Sequence, residues 1–89
     1  MTWRIEKVSA QGRTILRLCG WIQSESLPEL ESQIESHGPH VALDLNEVML
    51  VDIEVVRFFL ACEASGIELL ACFPYIRHWM ARERAAHPP

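Results

Sequence analysis

The sequence predicts an α/β domain: a small mixed β-sheet of about four strands with three helices packed on it. Three observations predict it. Apolar and polar residues alternate through 2–10, 15–22 and 40–48, the period of half-buried strands. Apolar stripes at helical spacing, with start and stop signals, occupy 24–38, 52–66 and 74–85. After the first two strands the two kinds of segment alternate, the pattern of parallel strands joined by helices.

The first strand, TWRIEKVSA, sets Trp3 and Ile5 on one face against Arg4 and Glu6. Gln11-Gly12 supplies a turn, so the strand pairs antiparallel with ILRLCGWI, where Leu16, Leu18 and Ile22 share a phase opposite Arg17. SESLPELESQIESHG is the first helix. Ser26 and Glu29 have capping-box spacing, with Ser24 the other candidate cap, and Pro28 fits the first turn. Leu27, Leu30 and Ile34 form its apolar stripe, its remaining face is acidic, and Gly38-Pro39 ends it. HVALDLNEV is the third strand, with Val41, Leu43 and Leu45 in phase; a short connector leads to a helix opened by Asp52 and closed by Gly66. IELLACF reads as a short fourth strand. Pro74 opens the third helix, with Ile76, Trp79 and Met80 on its buried side. Two helical crossovers of the usual hand make strands two to four parallel.

The 89 residues suffice for one domain, here 1–84, with 85–89 a frayed tail. The apolar fraction of 49% and charged fraction of 22% are those of a folded globule. A net charge of −4 argues against nucleic acid and against an anionic membrane surface, both of which call for a basic face. No apolar run approaches a membrane span of about 18 residues, and MTWRIEKV lacks a signal-peptide core. Cys19, Cys62 and Cys72 lie in apolar runs without a C-x-x-C pair, and read as buried thiols of a reducing compartment. The expected location is the cytoplasm.

No glycine-rich phosphate loop, nucleophile elbow or Cys-His spacing is present, so no catalytic residue and no cofactor are assigned. His37 and His40 alone make a weak metal pair, and no metal is assigned. In the second helix Val56, Phe59 and Leu60 face the sheet on a helical wheel. Glu54, Arg57 and Ala61 face away, and Phe58 and Cys62 fall between the exposed side and the flank. Phe58 is either tucked against the first helix or an exposed apolar contact ringed by charge. Glu63 falls in the buried arc and needs a partner, for which Arg77 is the candidate. Asp52 has a plain role as N-cap, accepting from the N–H of Glu54 or Val55, worth about 1 kcal/mol.

The order and spacing of ILRLCGWI, the leucine-rich helix, VALDLNEVMLVD, the helix from Asp52 and GIELLACFPYIRHW resemble STAS domains. These are the domains of bacterial anti-sigma factor antagonists, and the resemblance spans nearly the whole chain. It implies a STAS-like fold and a role in signalling and transcription regulation through protein–protein contact. In that family the residue after the Asp is commonly a serine or threonine phosphorylated by a partner kinase, and a phosphate there switches binding off by its charge. Here Ile53, Glu54 and Val55 occupy those positions. The phosphoacceptor is missing at Ile53, and so is the family's following glycine.

The expected function is therefore a non-enzymatic interaction module binding a protein partner through Asp52, Ile53, Glu54, Arg57, Phe58 and Ala61, without a serine switch. An anti-sigma factor, a kinase-like regulator or another STAS protein is the implied partner. The alternative is a small-ligand sensor, for a nucleotide or for an apolar ligand in a pocket lined by Trp3, Trp21 and Trp79. A third possibility is phosphorylation at Ser24 or Ser26. Monomer and weak homodimer both remain open: strand 2–10 is an edge, open to pairing unless Arg4, Glu6 and Lys7 discourage it.

Overall fold

The structure, a computed structural model, describes residues 3–86. Its elements are β1 (Trp3–Ala10), β2 (Arg13–Ile22), α1 (Leu27–His37), β3 (Val41–Val51), α2 (Ile53–Ala64), β4 (Glu68–Leu70) and α3 (Pro74–Ala86), with 3-10 turns at Ser24–Ser26 and Gly38–His40 flanking α1. The four strands lie in the order β1-β2-β3-β4. β1 is antiparallel to β2, and β2, β3 and β4 are parallel, as the alternation predicts. Ala10 pairs with Arg13, leaving a two-residue turn in which Gln11 and Gly12 both take positive φ, the twist-matched hairpin connection.

Both crossovers step the same way across the sheet, so α1 and α2 share one face. That face carries the core. Leu16, Leu18 and Ile22 of β2 and Leu43, Leu45, Val48 and Val51 of β3 meet Leu30 of α1, Val55, Val56 and Phe59 of α2, and Ile76 and Met80 of α3 in a single cluster. Helix α2 lies between the other two helices, so its buried arc is wider than a wheel drawn against the sheet alone. Val55 and Cys62 are buried along with Val56 and Phe59, while Leu60 is half-buried at the rim. Gly66 closes α2 as expected: Ile67 N–H donates to the Cys62 carbonyl (2.9 Å) and Gly66 N–H to that of Glu63 (3.0 Å).

Three expectations are corrected. The connector expected after residue 48 is strand, and β3 runs on to Val51. The fourth strand ends at Leu70, because Ala71 at φ +55° turns the chain toward α3. The capping box does not form: Ser26 is helical, with no side-chain cap bond, because a 3-10 turn already occupies the helix start. Helix α3 runs on through Ala85 and Ala86, and residues 87–89 of the expected tail, with His87, lie outside the described residues.

Candidate functional site

The site grows out of an irregularity in β3. While β2 advances from Thr14 to Ile22, β3 advances from Val41 to Val51, two residues more. One extra residue falls between Asp44 and Glu47 and the other at Met49, between Val48 and Leu50. Each is a bulge, and each keeps the core face supplied: after Leu45 the buried residues come three apart, at Val48 and Val51. Gly20, at φ +92°, marks the second break on β2, a conformation a residue with a Cβ takes only under strain.

The bulges push apolar side chains outward. Met49 is 73% exposed and Leu50 53%. Leu50 stands in register with the exposed Trp21. The Tyr75 hydroxyl donates to the Met49 carbonyl at 2.6 Å, and the Tyr75 ring stacks on Phe73 at 6.4 Å between centroids. Trp21, Leu50, Met49, Tyr75 and Phe73 thus form a continuous run of exposed large apolar residues at the C-terminal ends of the parallel strands. An open groove of about 430 Å³ beside it is lined by Asn46, Glu47, Val48, Met49, Phe73 and Tyr75. Alternation rules hide this surface, because they assign Met49 and Leu50 to a connector and Phe73 to a strand.

Asp52 sits at the corner of the same end. One carboxylate oxygen accepts from Val55 N–H (3.1 Å), the cap the sequence predicts. The other accepts from Ser24 N–H (2.9 Å), tying the α2 start to the turn that follows β2. Ile53 is half-buried and Glu54 exposed. Arg57 is engaged on both sides, with Glu54 at 3.0 Å and with Glu83 of α3 at 3.2 Å. Glu63 meets Arg77 at 2.7 Å, as expected, and Arg84 at 3.4 Å. Phe58 is half-buried against the core, and with Ala61, Cys62 and Ile67 it floors a second groove of about 220 Å³, whose α1 wall carries Ile34, Glu31 and Glu35. Asp52, Ile53 and Glu54 therefore lie beside the exposed run, while Phe58 and Ala61 open toward α1. Trp3, Trp21 and Trp79 line neither groove.

On the helix-free face, Arg17 bridges Glu6 (3.8 Å) and Asp44 (3.3 Å), and Arg4 pairs with Glu6 (3.0 Å). Such exposed pairs contribute about 1 kcal/mol or less each. Donor atoms of Glu6, Cys19 and Glu47 lie within 4.8 Å of one another there. This grouping is set by strand register and is invisible in linear spacing; the expected weak pair is half-buried His37 and exposed His40. Burial and then the neighbouring Glu47 and Glu6 carboxylates push the Cys19 thiol up, so it is a poor ligand and a poor nucleophile at neutral pH.

Burial also pushes Cys72 up, and it takes Cys62 from an ordinary 9.0 to about 12. Between those two values the folded chain holds a Cys62 proton that the unfolded chain has lost. Stability should therefore hold below about pH 8.5 and fall above it, by at most about 1.4 kcal/mol per pH unit for this group. Urea titrations across pH 8–11 check this. Alkylation of native protein near pH 8 should spare Cys62 until denaturant is added.

No described helix is long and apolar enough to cross a membrane. No family model matches the chain, and no curated protein matches it either.

Proposed function

We propose that the chain is a non-enzymatic interaction module that grips a protein partner with the strand ends around Asp52. The observation that carries this reading is the unbroken exposed run Trp21–Leu50–Met49–Tyr75–Phe73. Large apolar side chains gathered at one end of a small domain, with charged residues beside them, are the composition of a binding hot spot. Helix and strand order agree with what the resemblance to STAS domains implies, which favours an anti-sigma factor, a kinase-like regulator or another STAS protein as the partner. Ile53 at the corner makes binding indifferent to phosphorylation there. The three thiols all shift toward the protonated form, which leaves no ready sulfur nucleophile among them.

The test uses the immobilised chain to capture its partner from host extract. The purified partner is then titrated back by calorimetry. Met49→Asp and Leu50→Asp should each weaken binding by about thirtyfold, about 2 kcal/mol. Both side chains are largely in solvent, so melting temperatures should barely move. Pretreatment with kinase and ATP should leave affinity unchanged. Wild-type affinity in both variants overturns the reading. So does a nucleotide or apolar ligand that raises the melting temperature with dose and competes with the partner.

A further inference from the structure

We propose that the chain forms a two-fold symmetric dimer by adding β1 of a second copy, antiparallel, along its own β1 and centred on Ile5. β1 has β2 on one side and no strand on the other among the described residues, so one edge of an eight-residue strand offers unpaired backbone groups. On the helix side of that edge Trp3 and Ile5 are only half-buried, packed against the core from one flank.

What selects the occupant is the order of residues along the edge. An antiparallel pair related by a two-fold axis perpendicular to the sheet keeps the faces matched, so the axis must pass midway between one residue and its own copy. Centring on Arg4, Glu6 or Lys7 sets that charge against its own copy, which is destabilising. Centring on Ile5 sets Ile5 against Ile5, Arg4 against the second copy's Glu6, and Trp3 against the second copy's Lys7. The stretch Trp3-Arg4-Ile5-Glu6-Lys7 is thus complementary to its own reverse. The apolar pair and two Trp–Lys contacts fall on the helix side, and two Arg–Glu pairs fall on the other. The same charges that disfavour registers centred on Arg4, Glu6 or Lys7 are matched in this one. The interface lies on the free edge of β1, and of the residues that carry the proposed function only Trp21 lies on the strand paired with it.

Two charge reversals test it. Arg4→Glu sets Glu against Glu in the dimer, and Glu6→Arg sets Arg against Arg. Each variant alone should sediment as a monomer where the wild type sediments at twice the monomer mass. Mixed in equal amounts, they should form a dimer, because each reversed charge then meets its opposite. Circular dichroism checks that both are folded. A wild type that stays monomeric at the highest soluble concentration overturns the proposal, as do single variants that remain dimeric or a mixture that stays monomeric. Should either variant fail to fold, hydrogen exchange of the wild type decides. Protection of β1 amides must rise with protein concentration, and protection that is flat, or that rises only elsewhere, overturns the proposal equally.

Discussion

Phe59→Ala should lower the free energy of unfolding by about 3–5 kcal/mol, read as a drop in the urea midpoint at constant slope. Phe59 is fully buried, and it sits where α2 meets both the sheet and the flanking helices. A chain of this length has a total stability of about 4–13 kcal/mol, so the loss leaves it marginal or unfolded. The neighbouring Phe58 makes the contrast. Its ring lies 6.3 Å from that of Phe59 but is half-buried over the groove toward α1. Phe58→Ala opens no closed cavity and should cost well under half as much. Equal losses at the two positions would show that the α1–α2 groove is sealed in solution and that the core extends through it.

Asp52→Ala should cost about 2 kcal/mol, more than an ordinary helix cap, because both oxygens are used. The two bonds can be separated. Asparagine retains one carbonyl oxygen for the Val55 N–H but presents an amide, itself a donor, toward the Ser24 N–H. Asp52→Asn should therefore lose about half of the alanine effect in a denaturant titration. Losses equal to those of alanine would place the energy in the link to Ser24, and no loss at all would place it in the cap. Partner affinity should follow the same ranking, since this carboxylate holds the turn after Trp21 to the end of β3.

Much of the fold is legible in the sequence, because most elements obey one period each. Leu16, Leu18 and Ile22 announce β2. Pro74, with Ile76 and Met80, announces α3, and Gly66 ends α2 with the bonds its position implies. Asp52 as a cap and Arg77 as the partner of Glu63 follow from local rules, one from helix-end chemistry and the other from the need to compensate a carboxylate near a core. The candidate site is less legible, for a physical reason. Its apolar residues lie where β3 changes from a two-residue to a three-residue repeat and where Ala71 leaves the sheet at positive φ, and neither event has a one-dimensional signature. Asp52's second bond is hidden for a similar reason, since Ser24 is 28 positions away and is brought close only by the parallel pairing of β2 with β3.

The paired insertions in β3 also fix what this chain can tolerate between Leu45 and Val51. Side chains at Met49 and Leu50 are exposed, so the fold itself tolerates exchanges there. Each inserted residue has no counterpart on β2: losing Met49 alone would leave Leu50 opposite Trp21 and Val51 opposite Ile22, so the interior and the Asp52–Ser24 link would survive while the outward bulge flattened. The frame is held by the residues that pair, and the protruding surface is an addition to it that can diverge in sequence and in length without disturbing what lies beneath.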